Sequence, residues 1–533
     1  MIVPTRRRAD TLRLALRTAV AQDLDDVEIL VHESGDDPDT ADAVAEVGDS
    51  RTRHLKTGEP VAMSENWERA VAAARGDYIT IIGDDDAILP SACSEAAQIL
   101  DRYPLELLTW RPAAYFWPES AVTPLRNRLQ SYLPAPGFEL QEPRALLDIA
   151  YHFRDHHYTM PMILHSFVSR ELIDRVRDRL GGYFCSAAPD IASGAADAYL
   201  GRSCILSHRP LSISGLSHHS TGSRMHFNRN LELREESEKA AFATKVAFHP
   251  SLVDSRNSQI FAANEMISMK QALFPDEPPQ LDYRNLIQRA LDTLNTGLED
   301  YEAGLSDIRR TAELNGIDLD DFVVPEPVTN VAKPALGIQQ AGEGVVVDID
   351  CSLEGVADVA GAAKLLASVL PDFEPPAALP GPPAYLRTLS RPFPADGLRF
   401  SRNGNGLLML SGGWAQAEDW GVWTVARQAG LTLEMEPGTA GPLIMQVTGR
   451  MFVHPDLPDA TGSVLVNGVT AAEIQAGWHD PAVDLRLDVP AEAVASGPVR
   501  VEFLIDSPTS PASAGISPDT RSLGFGLEQI TLG

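Results

Sequence analysis

Cysteine is scarce: four residues in 533, Cys93, Cys185, Cys204 and Cys351, far apart and without metal-type spacing. That excludes a disulfide framework and a cysteine zinc site, and predicts buried thiols in a reducing compartment. Basic residues are also few, 44 Lys and Arg against 74 Asp and Glu, for a formal charge of −30. A nucleic-acid partner needs a basic footprint and anionic lipid a polybasic surface, so both are disfavoured. The concentrated basic patch is Arg6-Arg7-Arg8. No apolar run is long enough to cross a bilayer and no signal-like leader precedes the first strand. The expected location is cytoplasmic, with peripheral association at the inner face of the membrane as a variant. What is present is ordinary globular composition, 44% hydrophobic and 22% charged. The length favours roughly two to four domains.

The first half is organised around Gly76-Asp77-Tyr78-Ile79-Thr80-Ile81-Ile82-Gly83-Asp84-Asp85-Asp86. Its apolar, β-branched centre is too short for a helix and reads as a buried parallel strand. Ligands of open α/β sheets gather at strand carboxyl ends, where the three acids fall. Adjacent carboxylates repel one another unless a cation sits among them, and hard oxygen ligands suit Mg²⁺ or Mn²⁺. A solvated acidic turn is the bland alternative. Strand-like runs at 1–3, 27–31, 53–55 and 108–110 alternate with helical patterns at 10–20, 40–47 and along Trp67, Val71 and Ala74. The turn after the second strand is read from His32, Tyr115-Phe116-Trp117-Pro118 as an aromatic loop, and Ser169-Arg170 as a helix start. This alternation predicts an α/β fold built from βαβ units with a mostly parallel sheet.

Several of these segments occur together in one known family. Val3-Pro4-Thr5, the turn Glu33-Ser34-Gly35-Asp36-Asp37, Ser64-Glu65-Asn66-Trp67, and Gly76-Asp77-Tyr78 running into Gly83-Asp84-Asp85-Asp86 resemble glycosyltransferase family 2, in that family's order. The resemblance implies a GT-A (nucleotide-diphospho-sugar transferase, Rossmann-like) domain over 1–230. It also implies an inverting transfer of sugar from a nucleotide-sugar donor (UDP, GDP or dTDP) to a glycan or lipid-linked acceptor, in bacterial surface polysaccharide synthesis. Asp84 and Asp86 then match the metal site for Mn²⁺ or Mg²⁺, with Asp85 stabilising the turn or touching the ribose. This chain has Gly83 where many relatives carry another aspartate. Asp190 matches the general base, with a helix N-cap as the structural alternative. Pro4, Thr5, Arg6 and Glu33 match donor-binding positions, Arg8 joins Arg6 as a phosphate contact, and Asn66 is either a donor contact or a helix cap. The loop holding His218 and His219 matches the one that supplies a further metal ligand, assigned to His219. The first strand is shorter than in relatives, which fits either a start upstream of Met1 or a sheet with a short first strand.

The rest of the chain changes character twice. Residues 231–325 read as a helical extension, with helices at 232–248 and 283–294 and a stop at Gly297. Residues 326–389 hold a strand-like run at 344–350 with no clear place and a Pro-rich linker from Pro371 to Pro383. Residues 390–533 show short alternating runs between Gly, Pro and Asp turns, the pattern of an antiparallel β-sandwich. This part resembles jelly-roll modules appended to some bacterial glycosyltransferases. Its Trp414, Trp420 and Trp423 either stack on sugar rings or fill the core. Two other readings stay open: a nucleotidyltransferase, which also uses strand-end acids, and a non-catalytic glycan-binding scaffold with a decayed transferase domain.

Overall fold

The computed structural model describes residues 1–133, 136–220, 247–255, 257–294, 301–325, 327, 335–341, 344–376, 393, 397–401, 404–406, 409–411, 413–415, 417–433, 435, 442–495, 499–517, 519 and 521–532. The helix expected at 232–248 falls, but for its last two residues, outside them, as do Gly297 and Pro380 to Pro383.

Alternation in the first half produces β1 (Ile2–Thr5), α1 (Ala9–Val20), β2 (Ile29–Glu33), α2 (Pro38–Val47), β3 (Thr52–Lys56), α3 (Met63–Ala73), β4 (Tyr78–Ile79), β5 (Ala87–Ile88) and α4 (Ala92–Leu100). Then follow β6 (Leu107–Trp110), β7 (Ala113–Phe116), β8 (Arg128–Leu133), β9 (Phe138–Gln141), α5 (Pro143–Tyr151), β10 (Ser166–Ser169), α6 (Arg170–Leu180), α7 (Pro189–Leu200), β11 (Cys204–Ser207) and β12 (Ser212–Leu216). β1 and β2, and β2 and β3, pair in parallel. Ile2 bridges Ile81 in parallel, Ile2 N donating to Thr80 O (2.9 Å) and Ile82 N to Ile2 O (3.0 Å). The acid-bearing segment thus joins the parallel strands to a second group in the order β4-β10-β6-β11-β9, in which β10 runs antiparallel to both neighbours.

The strand expected at 27–31 is shifted to Ile29–Glu33, so His32 and Glu33 lie in the sheet, buried, and not in the turn. The expected aromatic loop is largely strand β7, with Tyr115 fully buried, because its side chains join one apolar core with those of α1 and α4. Cys93, Cys204 and Cys351 are buried as expected, but Cys185 is exposed, on the turn before α7.

Three helices, α8 (Ser258–Leu273), α9 (Tyr283–Asp292) and α10 (Tyr301–Leu314), share one apolar core with α5 and α7. Tyr151 anchors them: its hydroxyl donates to Met266 O (2.6 Å) while its ring meets Phe274 edge-on. The run at 344–350 finds its place here. With β13 (Gly337–Ala341), strand β14 (Gly344–Asp350) extends a second sheet, β13-β14-β8-β7-β12-β5, and α11 (Val359–Val369) packs against α1. At that junction Arg128 and Asp348 form a buried bidentate pair, with Arg128 Nε 3.0 Å from Asp348 Oδ1 and Nη2 on Oδ2.

The C-terminal part pairs two antiparallel sheets: β15 (Leu398–Arg399), β17 (Val422–Trp423), β19 (Leu443–Met451), β22 (Ala482–Val489) and β24 (Phe525–Leu532) face β16 (Leu410–Ser411), β18 (Gln428–Leu433), β20 (Asp459–Val466), β21 (Val469–Gly477) and β23 (Val499–Ile505). A short helix, α12 (Ala491–Ala495), precedes β23. Phe503 and Phe525, one from each sheet, stack at 5.0 Å in the shared core.

Removing one partner of a buried ion pair leaves an uncompensated charge and costs about 3–5 kcal/mol. Asp348→Ala should therefore lower the unfolding free energy by that order in urea melts, and an apolar Arg128→Met, Asp348→Leu pair should recover much of it. A wild-type midpoint for Asp348→Ala would show that β14 does not hold this sheet together.

Candidate active site

The segment Thr80–Ile82 ends at Gly83, and the three acids follow with three different sets of partners. Asp84 turns toward the β1–α1 connection: Thr5 Oγ1 donates to its Oδ2 (2.8 Å) and Arg8 Nη1 to its Oδ1 (3.0 Å). Asp85 accepts from Ser217 Oγ (2.6 Å), and its backbone carbonyl accepts from Trp117 Nε1 (3.1 Å). Asp86 is fixed by backbone alone, Gly83 N donating to Oδ2 and Gly215 N to Oδ1, both at 2.7 Å. Gly215 is required by space: a Cβ there would stand 1.8 Å from Asp85 O.

Burial and the neighbouring acids push Asp85 up to about 7. Burial, with Asp84 adding to it, pushes Asp86 up to about 6 against the pull of its two N–H donors. Burial disfavours the Arg8 cation, but Asp84 and Asp85 outweigh it and hold Arg8 above its ordinary value. One guanidinium therefore leaves the cluster with excess negative charge. A hard dication is the ligand that relieves such repulsion. The residues fit one: the position of a missing Cβ at Gly83 is bordered by Asp86 Oδ2 at 2.8 Å and Asp85 Oδ1 at 3.2 Å. Gly83 thus leaves open the space over which two carboxylates converge, which accounts for glycine at this position.

The expected metal set is redistributed. Asp84 is engaged by Thr5 and Arg8, and Asp85 takes its place beside Asp86. His219 stands elsewhere, its Nε2 3.2 Å from Asp10 Oδ2, with His218 Nε2 at 3.9 Å from the same oxygen. Asp10, His218 and His219 are the one set of three metal-type side chains whose ligand atoms converge within 4.8 Å among the described residues. His219 remains tied to the acids indirectly, since its backbone N donates (3.0 Å) to the Ser217 hydroxyl that binds Asp85.

Asp190 is the second residue of α7, where Ala188 is the cap position, so the N-cap alternative does not hold. Burial raises its pKa above the ordinary carboxylate value, and Glu265 adds to the shift. Helix α7 is tied to the acid-bearing strand through Ile163, whose N donates to Ser193 Oγ (3.4 Å). Its carbonyl receives Ile81 N (3.1 Å) and Thr80 Oγ1 (3.2 Å).

The donor-side positions are mostly engaged within the protein. Pro4 and Thr5 are buried in β1. Glu33 is fully buried, one oxygen on the backbone N of Asp37 and the other 2.9 Å from His54 Nε2. Asn66 lies inside α3, not at its cap, and pairs with His32 through Nδ1 (2.8 Å) and the backbone carbonyl (3.1 Å). Arg6 is half-buried, its pKa lowered by burial and by Arg7 and Arg8. In the sandwich, Trp414 is buried with Nε1 donating to Gly430 O (2.6 Å), and Trp423 is buried against Trp420 at 5.1 Å. Arg450 covers the half-buried Trp420 ring at 4.1 Å. Of the two readings for these tryptophans, burial of Trp414 and Trp423 favours core packing, while Trp420 is half-buried. Gly215, Ser217, Trp117 and Asp10 are the site residues that sequence reasoning missed. A glycine and a serine in the β12 loop were the available signal.

Residues 1–166 match the model of glycosyl transferase family 2. The N-terminal part of this chain is a family 2 glycosyltransferase domain. No curated protein sequence matches the chain. Among solved structures it is similar to S. aureus TarS, at 11% identity and TM-score 0.33 over 99% of this chain and 84% of that one. It is also similar to the mannosyltransferase PcManGT from Pyrobaculum calidifontis in complex with GDP-Man and Mn2+, at 13% identity and TM-score 0.30 over 59% and 85%. The carbohydrate-binding module CBM36 in complex with calcium and xylotriose is similar over 20% of this chain and 72% of its own, at 12% identity and TM-score 0.14. Scores this low carry no weight for function.

Gly215→Ala forces a methyl into Asp85 O and should displace the loop that holds Asp86. Overpacking of this kind costs about 1–3 kcal/mol. The variant should melt lower and lose nucleotide-sugar binding, both visible by thermal shift with and without donor.

Proposed function

We propose that this protein is a metal-dependent, inverting glycosyltransferase acting on a nucleoside-diphosphate sugar and a hydroxyl of a glycan or lipid-linked acceptor, in bacterial surface polysaccharide assembly. The observation that carries this reading is Asp85 and Asp86 converging at the strand end of a family 2 domain, with Asp190 tethered to the same strand by Ile163. Asp85 and Asp86 would hold Mn²⁺ or Mg²⁺, which would supply Lewis-acid neutralisation of the diphosphate leaving group. Arg8 and Arg6 line the β1–α1 turn beside these acids and favour the phosphates of UDP, GDP or dTDP. Asp190 accepts the proton of the attacking hydroxyl, so the sugar transfers in one displacement, with inversion, and no covalent intermediate is needed. Its raised pKa makes it a stronger proton acceptor than an ordinary aspartate.

The division into a catalytic unit (1–230), helical extension (231–325), joining segment (326–389) and sandwich (390–533) goes with this reading. One amendment is that β13, β14 and α11 serve the catalytic sheets. No helix among the described residues is long and apolar enough to cross a membrane. Peripheral work at the inner membrane face is part of the proposal.

The test is a panel of UDP-, GDP- and dTDP-sugars with Mn²⁺ or Mg²⁺, read by nucleotide release. One donor should turn over in a metal-dependent way, and Asp86→Asn should abolish it. Asp190→Asn should cut transfer by about 10²–10⁴-fold, the worth of a general base. Asp190 works ionised and its pKa is raised, so activity should fall with acid at a pH above the roughly 3.9 of an ordinary aspartate. Neither turnover nor donor binding in a folded protein would overturn the transferase reading.

A further inference from the structure

Between the acids and Asp190 lies a short turn, His157–Thr159, whose middle residue faces outward. Tyr158 is 54% exposed, although its neighbours His157 and Met160 are buried. Its phenol is held well above the ordinary value by surrounding protein first, and then by the charges of Asp190 and Asp86. A ring open to solvent and yet crowded by protein is a ring standing in a cleft, and the two charges that reach it are those of the base and of the metal-site acid. The chain on either side fixes its place. Five residues on, Ile163 joins the acid-bearing strand to α7.

The ring is also held rigid. His156 lies 4.4 Å from it, tilted by 40°, and His157 meets it edge-on at 4.6 Å. Below, His165 Nε2 lies 3.3 Å from Tyr158 O. Three imidazoles thus immobilise an aromatic face that nothing in the described structure covers fully. Such preorganisation lowers the cost of binding, and aromatic faces suit the apolar C–H patch of a sugar ring. Close by in sequence, Arg154 Nε donates to Leu410 O of the sandwich (3.2 Å), which brings that module to the segment before this turn.

We propose that Tyr158 is the acceptor platform: a pyranose ring of the acceptor stacks on its exposed face and so presents a hydroxyl to Asp190. This deepens the transferase reading and rests on it. It commits the acceptor to a cyclic sugar and not an acyclic polyol, because a flexible chain offers no flat C–H face to the phenol.

Saturation-transfer NMR with methyl pyranosides (glucose, galactose and N-acetylglucosamine series) and with glycerol and ribitol tests this without donor turnover. Wild-type protein should transfer saturation to the C–H face of at least one pyranoside and to neither polyol. Tyr158→Ala should lose the signal, and Tyr158→Trp should keep it. With a donor identified, Tyr158→Ala should raise the acceptor KM by roughly tenfold, the scale of an aromatic contact of about 1.4 kcal/mol. The effect should fall on KM and much less on kcat at saturating acceptor. Equal pyranoside binding by Tyr158→Ala, binding of polyols in place of rings, or no pyranoside binding by wild type would overturn the platform. Loss of donor hydrolysis in the wild type would instead indict the transferase reading.

Discussion

Three consecutive carboxylates held in a buried strand end repel one another, and low dielectric magnifies the repulsion. The surrounding architecture is arranged to contain that field. β1 brings Thr5 and Arg8 to Asp84, β12 brings Gly215 and Ser217 to Asp86 and Asp85, and Trp117 holds the intervening backbone. The compensation is incomplete by one cation. That deficit, with the missing side chain at Gly83, makes the cluster a site and not a structural knot.

Two sheets meet at this point. The parallel strands deliver the basic turn, and the second sheet delivers β12, which pairs with β5 directly beyond the acids. The second sheet is in turn completed by β13 and β14, from more than two hundred residues downstream, and closed by the Arg128–Asp348 pair at a separation of 220. The position of Gly215 therefore depends on a strand-like segment that had no clear place in the sequence. α7 reaches the same cleft from the other side, seated on the helical extension through Glu265, which accepts from Ala188 N at 3.0 Å.

The acids and the helix carrying Asp190 were legible because they obey local rules: an apolar β-branched run, a glycine stop, a proline at the first helical turn. What was not legible is which acid does what. The partners of Asp84 and Asp85 lie 76, 79 and 132 residues away, and no periodicity reports such contacts. Glu33 lies in the strand and not in the turn, and the histidines His54 and His32 claim the polar atoms of Glu33 and Asn66. For the sandwich tryptophans two readings stood open, and an indole in a small sandwich serves the core before it serves a ligand. Trp414 against Phe503 at 5.6 Å is such a case.

The most direct test is anomalous diffraction at the manganese edge, from crystals grown with Mn²⁺ and each of UDP, GDP and dTDP. A peak between Asp85 and Asp86, with a diphosphate bound beside Arg8, is the predicted result. A peak confined to Asp10, His218 and His219, or a bound nucleotide with no metal near the acids, would contradict the assignment of this strand end as the catalytic metal site.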